Sequence, residues 1–425
     1  MFIRTPRLEI YPDRIAQNAR AVIALCHEHG AQVAAVTKVV CAHPAVVNAL
    51  VAGGADMVAD SRIRNLQAMA DTGIDRPLML LRIPAPSRAA DVVRCANVTL
   101  NSNLGTIELL SEAAVLHGVT HQVIVMVDVG DLREGVWPDR AIEIVRGASK
   151  LRNVEVIGLG CNLACYGGVI PTMANMTALV EVRNRCREAS GLDLNVLSGG
   201  NSANLPLLAS GQMPWEINQF RIGEAIVLGR NVIDRSPWPG TRQDTFKMVA
   251  EIVEVERKPS MPIGERGQDA FGGTPEFEDR GVRLRAICNL GRQDVVVDGI
   301  EPLMPGVFVL GGSSDHLILD VEDAAENVKV GDELEFWPGY GALLALSTAT
   351  ACSSQPPSTD PSPGVKSNRA RVGRRSSCDT RPSRRVCVSH SAYWGWNRNQ
   401  PLPMKRSATV MRTKQSVGSH CASSE

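Results

Sequence analysis

The sequence predicts an α/β protein: an N-terminal (β/α)8 TIM-like barrel, a C-terminal all-β domain, and a disordered C-terminal tail. Three observations carry this expectation. Over residues 12–243 short apolar runs alternate with helix-like segments, the rhythm of a parallel sheet with helical crossovers. From about Asp244 the rhythm changes to short strands separated by Gly/Pro-rich connections. Beyond Ser347 apolar periodicity is lost, and Ser, Pro and Arg dominate residues 351–425.

Arg7-Leu8-Glu9-Ile10-Tyr11 alternates like a short strand. A helix follows from Asp13 to about His29, with Ile15, Ala19, Val22, Ile23 and Cys26 at helical spacing and Gly30 ending it. The apolar run Val33–Cys41 reads as the next strand. Further strands are expected at Asp56–Ala59, Leu78–Leu81, Val98–Leu100, Val123–Val127, Val154–Leu159, Leu194–Leu197 and Ile217–Ile222. With the first run they make eight, the number that closes a (β/α)8 barrel. Helix patterns fall between them at Pro44–Ala52, Ile63–Thr72, Thr106–His117, Pro138–Lys150 and Pro171–Ser190. The β domain is expected to use Lys247–Val255, Val282–Ile287, Asp294–Val297, Val307–Leu310, Leu317–Val321 and Glu333–Phe336. The strand at residues 7–11 is expected to join it, so that 1–11 and 244–346 form one domain around the barrel of 12–243.

The balance of 45 basic and 45 acidic residues hides an asymmetry. Residues 351–425 hold 13 of the basic and 3 of the acidic ones, so the tail is basic by 10 charges and the remainder acidic by 10. An acidic body is the normal state of a soluble enzyme and implies no particular partner, and a nucleic-acid partner is not expected. The basic tail admits one reading as a nucleic-acid-binding arm and a plainer one as a disordered extension without specific function. No apolar run approaches the roughly 20 residues of a membrane helix, and the N-terminus lacks a signal-peptide core. Seven cysteines in the body show no paired spacing and read as free thiols in a reducing, cytoplasmic compartment. No metal-ligand cluster is expected.

Val33-Ala34-Ala35-Val36-Thr37 leads straight into Lys38. Such a run reads as a buried parallel strand, and a lysine at its end is costly to bury without a task or a partner. Two readings stand side by side: a Schiff-base lysine holding pyridoxal 5′-phosphate (PLP), and a strand-end lysine that snorkels to water. The stretch alone favours the second, and four further strand ends shift the balance. Ser198-Gly199-Gly200-Asn201-Ser202 ends the seventh strand, where small residues let backbone N–H groups approach an anion and hydroxyls add donors. The same residues would also make a plain strand-to-helix turn with an N-cap. Arg221-Ile222-Gly223-Glu224-Ala225 ends the eighth strand, and barrel phosphate sites use the loops after strands seven and eight. An arginine aimed at a pyridine nitrogen would keep it unprotonated, because a guanidinium does not give up its proton; an arginine paired with a barrel carboxylate is the alternative. Residues 127–136 and 158–164, which contain Arg133 and Asn162, end the fifth and sixth strands, and each is ordinary alone.

In their order and spacing these pieces resemble the alanine racemase family, the fold type III PLP enzymes, and within it the alanine/ornithine racemase branch. The resemblance covers residues 5–346. Gly291-Arg292-Gln293-Asp294, Ser313-Ser314-Asp315-His316 and Tyr340-Gly341-Ala342-Leu343-Leu344 resemble segments of that branch. The resemblance implies a PLP-dependent racemase of a free amino acid, either ornithine-like and basic or small like alanine or serine, working by two-base proton transfer at Cα. It implies Lys38 as the cofactor lysine, Ser198 to Ser202 and Gly223 to Ala225 as the phosphate site, Arg221 at the ring nitrogen and Arg133 at the phenolic oxygen. It also implies a homodimer in which each β domain covers its partner's barrel mouth. Two departures stand out. Asn162 stands where many members have a histidine near the ring, and Arg292 stands at or near the position of the opposing catalytic tyrosine. Arginine is no base, so His316, Tyr340 and Tyr166 are the candidates for that role. A PLP-dependent basic amino acid decarboxylase and a non-catalytic PLP carrier remain as rival readings.

Overall fold

The computed structural model describes residues 5–349 and 353–355. The chain opens with β1 (Arg7–Ile10) and α1 (Pro12–Glu28). Pro12 suits a first helical turn, where its missing N–H is not needed, and Ile15, Ala19, Val22, Ile23 and Cys26 bury one face. The barrel follows as β2 (Gln32–Val36), α2 (Pro44–Ala52), β3 (Met57–Asp60), α3 (Ile63–Asp71), β4 (Leu78–Leu80), α4 (Ala89–Cys95), β5 (Val98–Asn101), α5 (Leu104–His117) and β6 (His121–Met126). It continues with α6 (Ala141–Ala148), β7 (Val154–Gly160), α7 (Met173–Ser190), β8 (Val196–Ser198), α8 (Leu205–Ala209), β9 (Gln219–Ile222) and the single turn α9 (Glu224–Val227).

Strands β2 to β9 pair in parallel and close into the expected barrel. Closure is made by β2, which has Ala34 beside Met57 of β3 on one edge and beside Arg221 of β9 on the other. The pleat divides each strand between two cores. Ala34, Val36, Ala59, Met79, Leu100, Ile124 and Met126 fill the barrel axis, whereas Val33 and Ala35 pack outwards under the helices. Helix α7 starts on a capping box, in which Thr172 Oγ1 accepts the Asn175 N–H at 3.4 Å and Asn175 Oδ1 accepts the Thr172 N–H at 2.9 Å.

The second part is antiparallel: β10 (Phe246–Pro259), β11 (Val282–Cys288), β12 (Ile300–Pro302), β13 (Phe308–Gly312), β14 (Leu317–Asp320) and β15 (Glu333–Pro338), ordered β12-β15-β10-β11-β14-β13. β1 pairs with β10, Leu8 lying opposite Met248. Buried Arg7 forks onto Glu333 at 2.7 and 2.8 Å and reaches Glu9 at 3.0 Å, which ties the first strand to β15. Helix α10 (Tyr340–Leu346) then turns back and packs on the turn Lys38–Val40.

Several expectations need correction. The strand expected through Cys41 stops at Val36, and Lys38–Val40 is a 3₁₀ turn: the Thr37 N–H still bonds Ala59 O of β3, but its carbonyl turns to accept the Val40 N–H at 3.0 Å while its hydroxyl bonds Asp60. Asp294–Val297 is a turn running into a 3₁₀ helix, not a strand. There the N–H groups of Asp294 and Val295 both return to the Gly291 carbonyl, at 3.0 and 3.1 Å, and the strand in that region is β12. Residues 138–140 form a separate 3₁₀ turn before α6. The tail expectation for 351–425 falls outside the described residues, except that Ser353–Gln355 (β16) pairs in parallel with β1. No helix among the described residues is long and apolar enough to cross a membrane.

Candidate active site

Lys38 is placed by the strand ahead of it. The Thr37 N–H donates to Ala59 O at 2.9 Å, and its hydroxyl donates to Asp60 Oδ2 at 2.7 Å. Asp60 is wholly buried, and its Oδ1 accepts from the Arg62 N–H at 2.8 Å and from Asn65 Nδ2 at 3.1 Å. Burial holds its pKa above the usual carboxylate range, although all three donors pull it down. This clasp ends β2 and turns Lys38 into a cavity of about 590 Å³ at the C-terminal mouth of the barrel. A larger recess, about 920 Å³, opens at the opposite end around Gln32, Asp56, Leu78 and His121. It has no lysine in its lining, and the C-terminal face is where barrels carry their chemistry.

The cavity brings together residues from the barrel's strand ends and the loops after them, Lys38, Arg133, Asn162, Asn201, Ser202, Arg221, Gly223 and Glu224, and Tyr340 from α10. Arg221 is fully buried across the mouth. It donates to the Cys161 carbonyl at 2.6 Å and to Ser198 Oγ. Burial depresses its pKa, with Cys161 and Glu134 opposing that shift. Cys161, buried beside it, donates to the Gly199 carbonyl at 3.3 Å, and burial pushes its thiol up to about 12. Ser202 Oγ accepts from the backbone N–H of Gly223 at 3.4 Å and of Ala225 at 3.2 Å. The loops after β8 and β9 thus meet around one small polar hollow. A Cβ on Gly223 would come within 3.2 Å of Val36 Cβ, so the backbone approaches the cavity closely there. Asn162 Oδ1 accepts from Asn201 Nδ2 at 3.1 Å, and its buried Nδ2 has no partner among the described residues.

Ser198, Gly199, Gly200 and Ala225 lie behind this surface and shape it. Gly200 has φ +135° and accepts the Arg221 N–H at 2.8 Å. Tyr340 comes from α10, and burial pushes its phenol up to about 12 with help from Glu224. The other two candidates for the opposing base are outside this cavity. Tyr166 is 79 % exposed in the loop after β7, and His316 stands exposed at the β13–β14 turn. Arg292 is near His316, its Nε donating to the Gly312 carbonyl at 2.8 Å and its guanidinium lying over the Phe271 ring. Four charged or thiol-bearing lining residues were not among the site residues expected from the sequence: Arg82, Glu134, Cys165 and Arg235. Arg82, Glu134 and Cys165 lie in the loops after β4, β6 and β7, so a place in a loop at the strand C-termini could have flagged them. Arg235 had no such signal.

These residues fit PLP. A lysine, a cradle open to an anion, a guanidinium and an unpartnered buried amide donor converge on a cavity within the usual size for a small cofactor. Residues 10–231 match the family model for the alanine racemase N-terminal domain. The chain belongs to the alanine racemase family. It is 41% identical to an ornithine racemase of Acetoanaerobium sticklandii over 80% of this chain and 96% of that protein. It is 40% identical to a lysine racemase of Thermotoga maritima over 81% of this chain and 96% of that one. Among solved structures, an alanine racemase from Streptomyces lavendulae superposes with TM-score 0.64 at 19% identity, covering 83% of this chain and 98% of that chain, a likeness of fold. The protein is therefore a PLP-dependent amino acid racemase. The decarboxylase and carrier readings fall away.

Proposed function

We propose that this racemase inverts Cα of a free diamino acid, ornithine or lysine, with Lys38 as the cofactor lysine and as the proton-transfer group on one face. The observation that carries the reading is that Lys38, Arg221 and the Ser202–Gly223 hollow share one cavity, in a chain similar over most of its length to an ornithine and a lysine racemase. When bound, PLP withdraws electrons from Cα and so acidifies its proton. Lys38 Nζ takes or returns that proton from its own side. Arg221, bonded on two sides, would present a fixed charge to the ring nitrogen. Ser202 and the N–H groups of Gly223 and Ala225 would hold the phosphate, Asn162 would donate towards the ring, and Arg133 would face the phenolic oxygen. A phenol that keeps its proton to about pH 12 is a hydrogen-bond donor rather than a ready base. Tyr340, near Glu224 and Arg235 in the same cavity, would donate to the phosphate rather than serve as the opposing base. The opposing base is left to Tyr166 at the mouth or to His316 from a facing β domain.

A homodimer suits this arrangement. Leu132, Trp137, Tyr166 and Ile170 on the loops after β6 and β7, and Met173 at the start of α7, are exposed apolar side chains, where a second β domain would cover the mouth. The free cysteines suit a cytoplasmic setting. The test is chiral chromatography after incubation with L-ornithine, L-lysine, L-alanine or L-serine. Inversion of the diamino acids, lost in Lys38→Ala together with the visible Schiff-base band, is the expected result. Full activity in Lys38→Ala would overturn the assignment.

A further inference from the structure

We propose that Glu134 is the carboxylate that recognises the distal ammonium of a diamino acid, an inference that rests on the racemase reading above. The charges around the cavity lead to it. An amino acid with a neutral side chain brings one ammonium and one carboxylate, both engaged at Cα. Ornithine or lysine brings a second ammonium several bonds away. That group loses hydration on entry and needs an anionic partner. Two carboxylates line the cavity, Glu134 and Glu224. Glu224 directly follows Gly223 at the anion hollow, and it is ion-paired with Arg235. A carboxylate beside a phosphate must stay neutralised, so Glu224 is committed.

Glu134 lies across the mouth, in the loop after β6, three strands round the barrel from β9. Its side chain is 19% exposed, and its one salt-bridge partner among the described residues is the adjacent Arg133. The Arg133 guanidinium also contacts Cys165 Sγ at 2.8 Å, so it spans two groups of the wall. Its pairing with Glu134 holds the carboxylate while no substrate cation is present. Drawn to an anion in the cavity, Arg133 leaves Glu134 facing that space without a directly bonded cation, the buried Arg221 acting on it only at longer range. The distal ammonium of ornithine or lysine restores the balance, and a methyl or hydroxymethyl side chain does not. Glu134 therefore selects substrate class and takes no part in moving the α-proton.

The test separates recognition from turnover. Phosphopyridoxyl-ornithine and phosphopyridoxyl-alanine, stable reduced adducts of cofactor and amino acid, are titrated calorimetrically into cofactor-free protein. Wild type should prefer the ornithine adduct by roughly tenfold or more, the scale of one charge-assisted contact. In Glu134→Gln the preference should vanish with the alanine adduct bound as before, and in Glu134→Lys it should reverse. Equal weakening of both adducts by Glu134→Gln would make the residue structural and overturn the proposal. So would an unchanged preference in that variant, or loss of the preference in Glu224→Gln instead. Failure of wild type to bind either adduct would overturn the PLP reading itself and this inference with it.

Discussion

Replacing Asp60 tests whether side-chain chemistry holds the turn that carries Lys38. Asp60 accepts three hydrogen bonds, from Thr37 Oγ1 at 2.7 Å, the Arg62 N–H at 2.8 Å and Asn65 Nδ2 at 3.1 Å. In Asp60→Ala the Asn65 amide, 4% exposed, is stranded, at a cost of about 1–3 kcal/mol. Thr37 keeps its weaker bond to Ala59 O at 3.3 Å, so its loss is about 1 kcal/mol or less. The Arg62 N–H belongs to an exposed residue and regains water. Against these losses a buried carboxylate disappears. Its folded-state pKa is raised by burial, so the stability it contributes is full below the unfolded pKa, near 4, and is lost as pH rises through the folded value. At pH 7 the ionised form is a net cost, and removing it offsets part of the damage. The expected net loss for Asp60→Ala is about 2 kcal/mol. Asp60→Asn keeps the two bonds at Oδ1 and can donate to Thr37 Oγ1, so it should lose under about 1 kcal/mol. Urea midpoints at pH 7 measure both, and the visible Schiff-base band of the PLP-loaded protein reports on Lys38. Asp60→Ala with wild-type stability and an unchanged band would refute the clasp. Equal damage from Asp60→Asn would show that charge, not acceptor geometry, is what matters.

Tyr340→Phe should make the cofactor-free protein more resistant to alkali. The folded pKa, near 12, exceeds the unfolded value, so the wild type loses about 2–3 kcal/mol as pH climbs from 10 to 12; an unmoved alkaline unfolding midpoint in the variant would place the phenol in water. Arg7→Ala should lower stability by roughly 1–2 kcal/mol, read as a urea midpoint shift at pH 7, because buried Glu9 loses one partner but keeps Lys247 at 3.3 Å and the Tyr11 hydroxyl at 3.1 Å, and Glu333 is partly exposed. Gly200→Ala should weaken PLP binding measured by spectral titration and cost about 1–3 kcal/mol of stability, because a Cβ at φ +135° would lie 2.5 Å from Asn204 Oδ1 behind the anion hollow.

Much of this architecture was legible in the sequence because the signals are local. Buried runs such as Val33–Val36 and Val123–Met126 carry their strand character within a few residues, and helices such as α1 show their buried face by spacing alone. Eight such repeats imply barrel closure, and closure implies that strand-end residues meet at one mouth. Lys38, Arg221 and the stretch Ser198–Ser202 could therefore be singled out before any coordinates. Asp294–Val297 misled because apolar alternation does not distinguish a strand from a turn closed by its own backbone bonds.

The sequence by itself determined the barrel, the β domain and the placing of a lysine, Lys38, directly after a barrel strand. Only the tertiary structure decided that Tyr340, some 300 residues from Lys38, shares its cavity while His316 does not. Only it showed that Asp60 clasps Thr37 and that Glu134 faces the same space as Arg221. Pattern within a segment is fixed by its own residues. Proximity between segments is fixed by which strands pair, how the last helix folds back, and which buried groups find partners, and none of these is a property of a local run.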